Sequence, residues 1–221
     1  MIGLQCHAKT MKVLYFQHAV AMGGSLQSLL YSIKGLRQHG VEPVVVFAND
    51  CPSLIDYYRD AGVEAFFYPG LTQLHHSMVS PKPWWSPFTW LHLLKVLRGW
   101  RRSKKATREL IEQVKPDLVH LNSIPFTSSA VALRKMGIPF VFHIREPSYG
   151  DGVRQRFISK RLLLADELIF LSEADRKSWR VGQQGTVIAN FVDFNGFDRN
   201  WTDLVVNEKS ELEPSVTKFL Y

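Results

Sequence analysis

The sequence predicts a doubly wound, Rossmann-like α/β fold built on a parallel sheet. Two observations carry that prediction. Short apolar runs alternate with stretches of helical periodicity along the chain. Several of the runs are apolar at consecutive positions, as strands covered by helices on both faces must be. The predicted strands are KVLYF (12–16), PVVVFA (43–48), EAFFY (64–68), DLVHL (117–121), PFVFHI (139–144), ELIFL (167–171) and TVIA (186–189). Between the first two, Leu26, Leu29, Leu30, Ile33 and Leu36 share one helical face, with Ser25 positioned to cap and Gly40 to terminate the helix. Residues 69–87, PGLTQLHHSMVSPKPWWSP, interrupt the alternation, and connections of such length are often functional. A long helix is expected over 88–114. Its apolar stripe would run through Trp90, Leu93, Leu94, Leu97 and Trp100, opposite Lys95, Arg98, Arg102 and Lys105. A further helix has Pro125 near its first turn and stops at Gly137. After about residue 190 the alternation is lost. Residues 199–221 read as a linker followed by the opening of another strand, KFLY.

Composition narrows the partners. The chain has 221 residues, 46% hydrophobic and 21% charged, an ordinary globular balance. Its net charge of +7 is matched by one segment: residues 92–108 carry Lys95, Arg98, Arg101, Arg102, Lys104, Lys105 and Arg108 and no acid. A local basic patch points to an anionic partner such as a phosphate-bearing substrate or an anionic lipid surface. Clustered cations beside Trp84, Trp85, Trp90 and Trp100 favour a membrane surface. No nucleic-acid-reading motif is present, so nucleic acid is not an expected partner. Two cysteines, Cys6 and Cys51, imply no disulfide framework and fit a reducing compartment. The uncharged apolar stretch Pro83–Leu94 is broken by proline and falls short of the roughly 18–20 residues that span a bilayer. Met11 opens the first strand, and residues 1–10 read as an N-terminal extension.

In an open parallel sheet, ligands bind beyond the carboxyl ends of the strands, where strand order reverses. The predicted strand ends are polar: Gln17-His18, Asn49-Asp50, Asn122-Ser123, Arg145-Glu146, Ser172-Glu173 and Asn190. Gly23 and Gly24 precede the first helix and suit close approach of a phosphate or a hydroxyl-rich ligand. They form neither the G-x-G-x-x-G fingerprint nor a P-loop, and no nucleophile elbow appears. His75, His76 and His92 have no Cys or carboxylate at ligand spacing, so no metal is expected. His120 reads as a core histidine with its bonding satisfied. The run IPFVFHIREP begins as a buried strand and ends in His143, Arg145 and Glu146, groups that are costly in a core unless paired.

The segments MKVLYFQHAVAMGGSLQSLLYSIKGLRQHGVEPVVVF, VKPDLVHLNS, GIPFVFHIRE, ADELIFLSEADRKSW and TVIANFVDFNGF resemble, in order and spacing, the N-terminal half of family 4 glycosyltransferases, from Met11 to Phe197. The resemblance implies one half of a GT-B architecture, with two Rossmann-like domains facing a cleft. The N-terminal half holds the acceptor. The C-terminal half binds the nucleotide-sugar and carries an E-x7-E motif. Transfer is metal-independent and retaining, with no cofactor beyond the nucleotide-sugar co-substrate. By position, Gly23 and Gly24 would lie near donor phosphates and acceptor, Asn122 and Ser123 would line the acceptor side, and Asn190 would enter the linker. Many members place a functional histidine six residues after the strand's proline; here that position, counted from Pro139, is Arg145. Members with an H-x-R-E pattern also occur, which leaves open whether His143 or Arg145 meets the sugar, with Glu146 beside them. The implied organisation is a glycosyltransferase domain over 11–198, then a linker and the truncated start of a second domain over 199–221. No E-x7-E segment follows, so the chain alone is expected to be inactive. The expected setting is cytoplasmic and peripheral on the inner face of the membrane, with a glycan or lipid-linked acceptor. Lys95, Arg98, Arg101, Arg102 and Lys105 would form the anion patch. The alternative is a non-catalytic, acceptor-binding or membrane-docking subunit that works with a separate donor-domain chain.

Overall fold

All seven predicted strands are present in the computed structural model of the chain, which describes residues 10–71, 87–148 and 152–190. They are β1 (Met11–Gln17), β2 (Val41–Phe47), β3 (Glu64–Phe67), β4 (Leu118–Asn122), β5 (Phe140–Ile144), β6 (Glu167–Phe170) and β7 (Thr186–Val187). The intervening helices are α1 (Gly24–Arg37), α2 (Pro52–Asp60), α3 (Pro87–Val114), α4 (Thr127–Met136), α5 (Val153–Leu162) and α6 (Glu173–Ser178). A short 3-10 turn, Ile124–Phe126, leads into α4 and contains the predicted Pro125. Every described residue belongs to one compact unit, which ends at Asn190.

The sheet order is β3-β2-β1-β4-β5-β6-β7, with all neighbours parallel. Strand order therefore reverses between β1 and β4. Gln17, Asn122 and His143 are brought side by side at the carboxyl edge by the registers Phe16↔Leu121 and Asn122↔His143. Alternation along each strand feeds two cores. Val13, Tyr15, Val45 and Phe47 pack with Leu26, Leu29, Ile33 and Tyr58 of α1 and α2. Leu14, Phe16, Val46, Leu121 and Phe142 face the other layer with Leu110 of α3, Leu133 of α4 and Ile158 of α5. Small polar side chains let α3 approach α4: the Ser103 and Ser128 hydroxyls are 2.7 Å apart, and Thr107 lies 3.0 Å from Ser129.

Four local expectations differ from the structure. Helix α1 is capped by Gly23 with no side-chain bond, so Ser25 lies inside the first turn. Leu36, at the end of the predicted apolar face of α1, is exposed. In α3 the buried face is Ser103, Ala106, Thr107, Leu110 and Ile111, whereas Leu94 and Leu97 are exposed. Apolar composition misled there, because Ser103 and Thr107 hydrogen-bond across to α4 from within the buried face. The last strand is shorter than predicted: β7 is an edge strand, and Ile188 beyond it is 51% exposed. The predicted terminator of α4 holds, since Gly137 caps it at φ 69. Residues 1–9, 72–86 and 191–221, with the expectations on Trp84, Trp85, His75 and His76, lie outside the described residues, as do the side chains of Trp90 and His92.

Candidate functional site

The carboxyl edge of β1, β4 and β5 carries a hydrogen-bonded cluster centred on Arg145. Its Nε donates to Asn122 Oδ1 at 2.6 Å, and its Nη1 donates to Asn190 Oδ1 at 2.9 Å and to Ser28 Oγ at 3.3 Å. Ser28 Oγ in turn donates to Asn190 Oδ1 at 2.8 Å. Asn122 is held from behind, its Nδ2 donating to Gln17 Oε1 at 3.3 Å. Gln17 Oε1 also accepts from the backbone N–H of His18 at 2.9 Å, which shapes the exit from β1. Gln17, Asn122 and Ser123 are fully buried. The guanidinium is thus aimed by groups from β1, α1, β4 and the stretch after β7.

Glu146 does not pair with Arg145 by any hydrogen bond among the described residues. Its Oε1 accepts from Ser123 Oγ, and its backbone carbonyl accepts from the buried Trp179 Nε1 at 2.8 Å. Ser123 itself sits at φ 92 and ψ 155, a region that is essentially glycine-only and costs about 1–3 kcal/mol. Such conformations cluster at functional sites, and here the twist places the Ser123 hydroxyl on Glu146.

Several polar atoms at this edge are buried without a hydrogen-bond partner: Arg145 Nη2, Glu146 Oε2, Gln17 Nε2 and His143 Nε2. Buried polar groups are nearly always bonded to protein, water or ligand. Arg145 Nη2 and Glu146 Oε2 are thus a buried donor and a buried acceptor with bonding capacity to spare among the described residues.

The histidines sit one layer down. His143 is 7% exposed, and its ring centroid lies 5.4 Å from that of His120, which lies 5.1 Å from Tyr15. Burial, then Arg145 and His120, push the His143 pKa down to about 2. Burial, then Arg145, push His120 down to about 3. Both imidazoles are therefore neutral at physiological pH. His120 Nε2 has no hydrogen-bond partner among the described residues. Burial also lowers the pKa of Arg145, opposed by the nearby Glu146 charge, and an arginine remains charged regardless. Burial raises the Tyr58 phenol pKa, with Gln17 and Arg145 opposing, and its hydroxyl donates to the Leu26 carbonyl at 2.8 Å.

Of the predicted strand ends, Gln17, Asn122-Ser123, Arg145-Glu146 and Asn190 converge. Two others serve local structure. Asn49 Nδ2 donates to the His18 carbonyl at 2.8 Å, and Ser172 caps α6 by accepting from the Asp175 N–H at 3.1 Å while Glu173 pairs with Arg176. Gly23 and Gly24 are exposed, and a Cβ at either would meet no atom within 4 Å. Their surroundings are open space rather than packed protein. Ser28 was missed by the sequence reading, because a serine on the buried face of an amphipathic helix carries no signal until its partner across the sheet is known. No cluster of metal-ligating side chains occurs among the described residues. Of the predicted basic patch, Lys95, Arg98 and Arg101 are exposed on α3, Arg102 lies against the Gly70 turn, and Lys105 pairs with Glu109 at 3.6 Å. No helix among the described residues is long and apolar enough to cross a membrane.

The parallel sheet with helices on both faces is the Rossmann-like α/β fold found as one half of GT-B glycosyltransferases. A glycosyltransferase from Rickettsia africae superposes with a TM-score of 0.56 at 14% identity, covering 93% of this chain and 51% of that one. MurG from Acinetobacter baumannii matches with a TM-score of 0.50 at 14% identity over 75% and 42% of the two chains. A putative UDP-N-acetylglucosamine 2-epimerase from Listeria monocytogenes matches with a TM-score of 0.51 at 10% identity over 88% and 51%. These likenesses concern the fold, and the chain spans about half the length of each. A search of curated proteins returns no match. The sequence profile of Glycosyltransferase Family 4 matches residues 22–195, and the chain belongs to that family.

Proposed function

We propose that this chain is the acceptor-side half of a retaining, nucleotide-sugar-dependent glycosyltransferase in glycan or glycolipid biosynthesis. The observation that carries the reading is Arg145, fixed by Asn122, Ser28 and Asn190 with Nη2 left unpartnered at the reversal of strand order. In this reading Arg145 meets a phosphate or sugar oxygen and Glu146 Oε2 accepts a hydroxyl once the edge opens, since Arg145 Nη2 and Glu146 Oε2 are both buried in this structure. Gly23 and Gly24 leave room for a phosphate beside the first N–H groups of α1. Asn122 and Ser123 position these groups rather than contact substrate, and Asn190 ties the site to the chain that leaves the domain. The donor nucleotide-sugar is bound by a separate donor domain, the acceptor is a glycan or lipid-linked molecule, and the setting is the cytoplasmic face of a membrane.

The experiment is transfer from nucleotide-sugars with the chain alone and with the chain joined to a family 4 donor half. No turnover alone and turnover when joined, lost in Arg145→Ala but kept in His39→Ala, supports the reading. His39 is the control because it is exposed and remote from the cluster. Robust turnover by the chain alone refutes the half-enzyme reading. Acceptor binding by the chain without turnover in any joined form favours the non-catalytic subunit instead.

A further inference from the structure

The turn that leaves β5 has no backbone support of its own. No backbone–backbone hydrogen bond among the described residues involves Glu146, Pro147 or Ser148. Side chains at the end of α6 take that place. Trp179 Nε1 donates to the Glu146 carbonyl at 2.8 Å, and the Ser148 N–H donates to Ser178 Oγ at 3.0 Å. The two bonds flank Pro147, which has no N–H to give. Ser178 Oγ donates onward to the Asp175 carbonyl at 2.7 Å, so the hydroxyl is fixed as an acceptor for Ser148. Helix α5 grips the same two residues of α6 and its cap. Gln155 Nε2 donates to the Ser178 carbonyl at 2.6 Å, and Ser159 Oγ donates to the Trp179 carbonyl at 2.8 Å. Gln155 and Ser159 are both buried.

Packing alone does not account for this clamp. Helix α6 is six residues long and buries none of them; burial falls on Trp179 at its C-cap, which is 1% exposed. Arg180, next in the chain, takes a left-handed φ of 51, where helix ends usually place glycine. The core that takes in Trp179 is filled elsewhere by rings with no polar atom, such as Phe140, Phe142 and Phe170. Phenylalanine would serve at position 179 if bulk were the only need. A buried indole N–H requires an acceptor, and the one it has is the carbonyl of Glu146.

We infer that Trp179 is a positioning residue for the Glu146 carboxylate, with Ser178 as a second hold on the same turn. This rests on the reading above, in which Glu146 accepts a ligand hydroxyl. The clamp fixes the backbone from which the Glu146 side chain leaves. With that backbone pinned, Oε1 reaches Ser123 Oγ, and side-chain rotation suffices to bring the carboxylate to a ligand. Trp179 acts through Glu146 and not through Arg145, whose partners Asn122, Ser28 and Asn190 belong to other parts of the chain. Loss of the clamp therefore weakens the grip on a hydroxyl and spares the grip on an anion.

The test is calorimetric titration of the full chain with two probes. Inorganic pyrophosphate offers anionic oxygens alone, and glucose 1-phosphate adds hydroxyls. The variants are Trp179→Phe, which keeps a ring and loses the N–H, Ser178→Ala, Glu146→Gln and Trp179→Phe/Glu146→Gln. Ile111→Ala, in the same core but on α3, is the destabilising control. Circular dichroism melts check that each variant folds. Trp179→Phe should weaken glucose 1-phosphate about ten-fold, the worth of one hydrogen bond to a charged group, and change pyrophosphate less than about two-fold. Ser178→Ala should shift the same probe in the same direction. The double variant should bind no more weakly than Glu146→Gln alone, because both changes act on one group. Ile111→Ala should lower Tm and leave both affinities as in the wild type. Wild-type affinity for glucose 1-phosphate in Trp179→Phe, equal loss of both probes, or additive loss in the double variant overturns the inference and leaves the reading of Glu146 standing. Wild-type chain that does not bind glucose 1-phosphate, or Glu146→Gln that binds it undiminished, overturns the reading of Glu146 itself. Should Trp179→Phe not fold, Ser178→Ala decides, and its undiminished binding of glucose 1-phosphate overturns the inference.

Discussion

His143 and His120 give a prediction with a worked sign. In the folded chain burial holds His143 down to about 2 and His120 down to about 3, while the unfolded chain takes protons near the ordinary 6.5. Between pH 6.5 and about 3 the unfolded state therefore binds more protons, and stability falls as pH falls through that window. Above 6.5 neither state is protonated, and the contribution is flat. At pH 5 each histidine lies about 1.5 units below its unfolded value, a loss of about 2 kcal/mol each and about 4 kcal/mol together. The assay is urea unfolding at pH 7 and pH 5 for the wild type and for His143→Asn. Other groups titrate in the same range, so the informative quantity is the difference between the two proteins. The variant should lose about 2 kcal/mol less than the wild type between the two pH values. An identical loss in both proteins, or a His143 imidazole seen by NMR to titrate near pH 6.5, refutes the reasoning that this ring is sealed beneath Arg145.

Other substitutions probe the strain and packing around the cluster. Ser123→Gly and Ser123→Ala both remove the hydroxyl on Glu146, but only glycine relaxes the φ of 92. Glycine should be more stable than alanine here by about 1–2 kcal/mol, the reverse of the usual order, as read from chemical melts. Gly185→Ala should cost about 3 kcal/mol and lower Tm by roughly 6–12 °C. Its φ is +96, and a Cβ would stand 2.7 Å from Phe170 and 2.8 Å from the Leu168 Cβ. Arg145→Lys should keep the charge yet lose the joint grip on Asn122, Asn190 and Ser28, so turnover of a two-domain enzyme should fall nearly as far as in Arg145→Ala.

What the sequence shows and hides follows from range. The strands were legible because residues covered on both faces must be apolar at successive positions, as in Val44–Phe47. The carboxyl-edge location was legible because Asn122, Ser123, Arg145, Glu146 and Asn190 all stand at strand ends. The hub was not. Arg145 and Glu146 are adjacent in sequence yet reach different partners, Asn122, Ser28 and Asn190 on one side and Ser123 on the other. Ser28 and Asn190 are separated by 162 positions, and only the sheet order brings them together. The buried face of α3 was misread for a related reason. Composition marks leucines as core, but contact with α4 selects Ser103 and Thr107, and Leu94 and Leu97 are turned outward.

The most direct test of the Arg145 site is a titration of the isotopically labelled chain with inorganic pyrophosphate, read by NMR at the arginine Nε–H groups and the backbone amides. Saturable shifts at Arg145 Nε–H and at the Gly24 and Ser25 amides, abolished in Arg145→Ala and retained in His39→Ala, are the predicted result. Saturable binding that leaves Arg145 unshifted, or that survives Arg145→Ala undiminished, contradicts the account.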